Sequence, residues 1–97
     1  MRGSEMLYAI HALDRADAGP LRLATRPAHL EYAAGFDTVY GGPLLDEAGE
    51  MCGSLIVLEA EDRAAAEDFV EGDPYTRAGL FASVDVRGFR QVLGLGD

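Results

Sequence analysis

The stretch FDTVYGGPLLDEAGEMCGSLIVLEA, residues 36–60, decides how the chain folds. Residues 36–45 have strand composition interrupted by Gly41, Gly42 and Pro43. That pattern fits a strand that ends in a bulge or lies at a sheet edge, because proline cannot donate to a ladder. Residues 46–50 carry turn chemistry and residues 51–60 form an apolar, β-rich run. Two strands joined by a short turn read as a hairpin in the middle of the chain.

Working outward, residues 6–13, MLYAIHAL, make a short apolar strand closed by the turn-forming cluster at 14–20. Pro20 suits a first helical turn, and Leu23, Pro27, Leu30 and Ala34 then recur at helical spacing until Gly35 supplies a stop. Helix one is therefore expected over about residues 20–34, with that apolar stripe facing the core. Pro27 has no N–H for the carbonyl of Leu23, so the helix should bend or restart there.

On the other side of the hairpin, Asp62 caps a second helix whose stripe is Ala65, Ala66, Phe69 and Val70, and Gly72 ends it. After the GDPY turn comes a short helical or irregular link, and LFASVDVRGF, residues 80–89, alternates as a fourth strand. The order β-α-β-β-α-β predicts an α+β, ferredoxin-like domain: an antiparallel four-stranded sheet with two helices on one face. In strand four, Leu80, Ala82, Val84 and Val86 point to the helices and Phe81, Ser83, Asp85, Arg87 and Phe89 away from them. Strand three sends Cys52, Ser54, Ile56 and Leu58 to one face, opposite Leu55 and Val57. Apolar side chains on both faces predict a homodimer packed sheet to sheet.

Ninety-seven residues, 48% hydrophobic and 26% charged, suit one folded domain without staples. The net charge of −9, from 17 acids against 8 bases, argues against a nucleic-acid partner and against an anionic membrane surface, since both demand clustered cations. Cys52 is the sole cysteine, which excludes an internal disulfide and a multi-thiolate zinc site and fits a reducing cytoplasm. The opening MRGSEMLYAI has no secretory apolar run, and no stretch reaches membrane-spanning length. Two histidines without ligand spacing give no dedicated metal site, and His11 and Cys52 read as structural, Cys52 as a small buried residue. No phosphate loop is present, Gly94 and Gly96 belonging to the tail, and there is no serine elbow.

Chemistry concentrates on helix one, where Arg22, Arg26 and His29 share a stripe beside the core-facing side. Two guanidiniums and an imidazole can hold a small carboxylate next to a general base. The same stripe is also what a solvated basic face looks like. Asp73, in Gly72-Asp73-Pro74, is explained by turn chemistry alone, because the residue before proline is pushed out of the α region. Asp14 likewise reads as a turn starter.

Taken in order, Asp14 after the first strand, Arg22, RPAH at 26–29, GGPL at 41–44, Gly53-Ser54, an alanine-rich helix and DPYTRAGLF at 73–81 resemble the YCII-related family. The resemblance runs from about Leu7 to Phe89 and implies a dimeric α/β barrel of ferredoxin-like halves. It implies an enzymatic site in which the family's histidine falls on His29 and the aspartate of its DPY motif on Asp73. Asp14 is the other candidate partner for His29, and the choice between the two acids stays open. On this reading a cofactor-independent lyase or isomerase uses His29 with Asp73 or Asp14 as an acid/base pair. Arg22 or Arg26 would hold an anionic small molecule, and Ser54 and Tyr75 would line its site. A non-catalytic small-ligand-binding or regulatory dimer is the alternative.

Overall fold

A computed structural model describes residues 6–94. The sequence readings that touch residues 1–5 and Gly96 lie outside the described residues. The elements are β1 (Met6–Asp14), α1 (Gly19–Ala33), β2 (Thr38–Leu45), β3 (Met51–Ala60), α2 (Arg63–Gly72), α3 (Pro74–Arg77) and β4 (Phe81–Phe89). The strands form a four-stranded sheet in the order β2-β3-β1-β4, with every neighbouring pair antiparallel. This is the ferredoxin-like α+β arrangement, with the short α3 added after α2. No helix among the described residues is long and apolar enough to cross a membrane.

The main core lies between α2 and the inner face of the sheet. Tyr8 and Ile10 of β1 pair across the ladder with Leu58 and Ile56 of β3, and Phe69 and Ala66 of α2 close over them. Each fully buried large side chain of this kind contributes on the order of 2 kcal/mol of hydrophobic stabilisation. A smaller cluster of Ala18, Tyr75 and Leu80 anchors α3 beneath the start of α1. The expected sides of β3 are observed, as are those of Val84 and Val86 in β4, but Phe81, expected to point away from the helices, packs with Leu80 against Tyr75 because the β1–β4 register shifts at Leu13/Asp14. Cover over β4 is thin: Val86 is buried whereas Val84 is 38% exposed.

Asp62 caps α2 as expected, its carboxylate accepting from Ala65 N–H at 2.9 Å. The end of α2 differs from expectation. Gly72 is the last helical residue and its φ is not positive, so it supplies no left-handed cap. Its reason for being glycine is closeness: a Cβ there would sit 2.5 Å from the hydroxyl oxygen of Tyr32, which donates to the Phe69 carbonyl at 2.9 Å. The left-handed turn falls later, at Gly79, whose φ is +76°.

β2 is an edge strand, as the glycines and proline suggest, yet it runs unbroken through Gly41, Gly42 and Pro43. Its irregularities lie at Thr38/Tyr40 and Leu44/Leu45 instead. Gly41 is pressed against β3, where an added Cβ would come within 2.9 Å of the Leu55 carbonyl oxygen. Helix α1 passes through Pro27 without restarting. Cys52 is half-buried rather than buried.

The larger correction concerns which side of α1 faces inward. Leu23 and Leu30, expected in the core, are 61% and 50% exposed, and the buried residues of the helix are Arg22 and His29. A buried charge or imidazole is tolerated where partners satisfy it. Asp14 at the end of β1 and Asp73 at the start of α3 provide those partners.

Candidate functional site

Asp73 closes α2 and caps α3 in one residue. Its extended backbone, φ −63° and ψ 129°, is the conformation expected before a proline, and its carboxylate accepts the Tyr75 N–H at 2.9 Å. The same carboxylate meets His29 Nδ1 at 2.9 Å through Oδ1 and 3.1 Å through Oδ2. Asp73 is 3% exposed and His29 8%, so the contact is shielded from solvent. The turn that Asp73 shapes is thus also the turn that brings its carboxylate to His29. Of the two candidate acids, Asp73 is the one in contact with His29.

Asp14 serves a different side chain. Arg22 donates to it side-on, Nε to Oδ2 at 2.7 Å and Nη2 to Oδ1 at 2.9 Å. Nη2 also donates to Ser54 Oγ on β3 at 2.9 Å. Burial by itself would lower the Arg22 pKa, but the hydrogen bond and charge of Asp14 outweigh it and hold the guanidinium above its ordinary value. Arg22 is thus a fixed, compensated cation.

Tyr75 links the two pairs. The His29 imidazole stacks on its ring with centroids 4.0 Å apart and planes 15° from parallel, and Arg22 Cζ lies 4.6 Å from the centroid of that ring. Burial is the leading cause that raises the Tyr75 pKa, against the opposing pull of Arg22 and Arg26, so the phenol stays neutral.

These side chains border a cavity of about 260 Å³. Arg22, Arg26 and His29 of α1 line it together with Ser54 and Tyr75. All five are among the site residues expected from the sequence, and the fold brings them to one place. Asp14 and Asp73 stand behind this lining, one carboxylate on Arg22 and one on His29. Arg26 is exposed and makes no ion pair among the described residues, which leaves it as an uncompensated cation at the cavity. With Nδ1 committed to Asp73, Nε2 is the His29 nitrogen left for the cavity.

The lining residues given no site role beforehand are Thr38, Gly41, Gly42 and Pro43 on β2, Leu30 and Ala33 on α1, and Ile56 on β3. The pair of glycines was the available signal, since backbone without side chains lets a ligand approach closely. No cluster of histidine, cysteine and carboxylate side chains able to hold a metal ion occurs among the described residues.

Fold and site together define a ferredoxin-like domain with a cavity flanked by a buried His–Asp pair and a buried Arg–Asp pair. The sequence model of the YCII-related domain matches residues 6–90, and the chain belongs to that family. It is 35% identical over 100 residues to the protein YciI of Escherichia coli O6:H1 (strain CFT073), covering 90% of this chain and 99% of the relative. Among solved structures it resembles 5-chloro-2-hydroxyhydroquinone dehydrochlorinase, TftG, from Burkholderia phenoliruptrix AC1100, determined in complex with 2,5-dihydroxybenzoquinone. That match has a TM-score of 0.83 and 34% identity, over 90% of this chain and 96% of the other. SnoaB, a cofactor-independent oxygenase from Streptomyces nogalater, shares the fold at a TM-score of 0.57 and 13% identity, covering 94% of this chain and 98% of that one.

Proposed function

We propose that this protein is a cofactor-independent lyase or isomerase that moves protons on a small anionic molecule, with His29 as the acid/base group and Asp73 as its partner. The observation that carries the reading is the buried contact of His29 Nδ1 with Asp73 at 2.9 Å beside a cavity that His29 lines. A carboxylate on Nδ1 fixes the tautomer with that proton, leaves Nε2 as the basic nitrogen and stabilises the imidazolium once Nε2 has taken a proton. The alternative of a non-catalytic binding dimer would have been favoured by an imidazole with no carboxylate in reach.

The size of the cavity narrows the substrate. A cavity of roughly 150 Å³ takes one benzene ring, so about 260 Å³ suits one substituted ring or a molecule of similar bulk. Arg26 supplies attraction for an anionic oxygen. On a ring carrying hydroxyls and a leaving group, Nε2 would take a hydroxyl proton and return it to the carbon that bears the leaving group. A second hydroxyl proton is then lost as that group departs with its bonding pair. The quinone and one equivalent of acid result, and no outside oxidant or reductant is needed. TftG, a dehydrochlorinase 34% identical to this chain, supports that class of reaction.

The reading includes a homodimer formed through the open face of the sheet. Leu13, Tyr40 and Phe89 lie on that face and are 42%, 46% and 36% exposed, which supports its being covered. A reducing cytoplasmic setting is the matching environment for the free Cys52.

The test is His29→Gln, assayed by chloride release from 5-chloro-2-hydroxyhydroquinone, with melting temperature and molecular size followed in parallel. Turnover should fall about 10²–10⁴-fold while fold and assembly are retained. A variant that keeps its rate, or that unfolds or dissociates, removes His29 from the chemistry.

A further inference from the structure

The geometry points to Ser54 as a hydrogen-bond donor to a substrate oxygen, held in that role by the Asp14–Arg22 ion pair behind it. This rests on the acid/base reading of the same cavity and adds a second catalytic residue, with positioning duties for Asp14 and Arg22.

Ser54 is 4% exposed, yet it lines the cavity. Its oxygen accepts from Arg22 Nη2 at 2.9 Å. A guanidinium has donors and no acceptor, so the serine hydrogen cannot be returned to Arg22. Among the described residues no acceptor takes that hydrogen. A nearly buried hydroxyl hydrogen without a protein acceptor, beside an open cavity, awaits an acceptor supplied by whatever enters. An oxygen that accepts from a cation is polarised into a stronger donor, so an anionic oxygen benefits more than a neutral one.

Asp14 makes the arrangement rigid. Its two bonds to Arg22 Nε and Nη2 fix the guanidinium plane, and the ring of Tyr75 lies 4.6 Å from Arg22 Cζ. The direction in which Nη2 meets Ser54 is thereby set before any ligand binds. Asp14 also compensates the guanidinium charge, so Arg22 acts on the ligand through Ser54 rather than as a free cation; Arg26 is left to that role. Charge that develops on a substrate oxygen as His29 works on another atom is thus met by a donor that needs no reorganisation.

The experiment compares wild type with Ser54→Ala, using 2,5-dihydroxybenzoquinone as the probe and its absorbance as the readout, with thermal unfolding as a control. Binding should weaken roughly 10–100-fold, the worth of a hydrogen bond to a charged group, with the fold retained. Equal affinity in the two proteins overturns the inference while leaving the His29 assignment standing. A crystal structure of the ligand-free protein tests it without the probe. Ser54 Oγ should hold an ordered cavity water at about 2.7–3.0 Å. A serine hydrogen directed instead to a backbone carbonyl overturns the inference whether or not the probe binds.

Discussion

The imidazole of His29 and the phenol of Tyr75 lie 4.0 Å apart in a near-parallel stack, and the Arg22 guanidinium addresses the same tyrosine ring from 4.6 Å. One aromatic residue therefore positions both ends of the site. The stack needs a neutral ring that is packed rather than solvated, and Tyr75 is only 1% exposed.

That burial has a consequence at alkaline pH. Desolvation is the largest cause raising the Tyr75 pKa above its ordinary 10.0, against the lowering effect of Arg22 and Arg26. The folded state therefore holds the phenolic proton more tightly than the unfolded chain. The resulting stability is fully present below the ordinary value and is lost as pH rises through the folded one. Melting temperature should fall more steeply above about pH 10 in wild type than in Tyr75→Phe, which has no proton to lose there. Tyr32, shifted upward chiefly by burial and also by Asp73, remains in both proteins and sets the residual slope. Parallel melting curves would show that Tyr75 is not the group involved.

Asp73→Asn separates the two duties of the aspartate. Asparagine is as good a helix cap as aspartate, so the bond from Tyr75 N–H survives and stability should change by about 1 kcal/mol or less. The negative charge opposite His29 Nδ1 is gone, and with it the stabilisation of the imidazolium. Turnover should drop about 10²–10⁴-fold with little loss of fold. If melting temperature falls and the rate per folded molecule does not, Asp73 is a structural tie.

Gly72→Ala tests why α2 ends where it does. In an ordinary helical position this change stabilises by about 1 kcal/mol. Here the new methyl group meets the Tyr32 hydroxyl and displaces a ring that packs against Phe36 and Phe69. Overpacking of this kind costs about 1–3 kcal/mol, so a net loss near 1 kcal/mol is expected in denaturant titrations. Tyr32→Phe removes the atom nearest the new methyl, so the double variant should lose less than the sum of the singles.

The fold was legible because its signals are periodic. Alternation in residues 83–89 and the 3.6-residue stripe of Ala66, Phe69 and Val70 set strand and helix faces locally, and the order of elements follows; at Phe81 the register shift opposite Asp14 breaks the alternation. The facing of α1 was not legible from periodicity. Leu23 and Leu30 repeat at the same seven-residue interval as Arg22 and His29, so hydropathy selects the leucines for the core. What decides otherwise is two carboxylates, Asp14 and Asp73, that come from other parts of the chain and become visible only when the chain is folded. The same holds for the partner of His29: both acids match the family pattern, and only the turn at Pro74 determines which one reaches it.

Leu23 follows Arg22 as Leu30 follows His29, so rotating α1 by one residue, about 100°, would exchange the polar pair for the apolar one. An apolar pair turned inward would add on the order of 2 kcal/mol per leucine, and well-packed apolar residues commonly stabilise a protein more than a buried ion pair does. The helix thus sits in the orientation that gives up thermal robustness in favour of a polar chamber. A programme to make this protein more heat-resistant by filling its interior with hydrocarbon would find its easiest gains on α1, and each would be taken from the cavity.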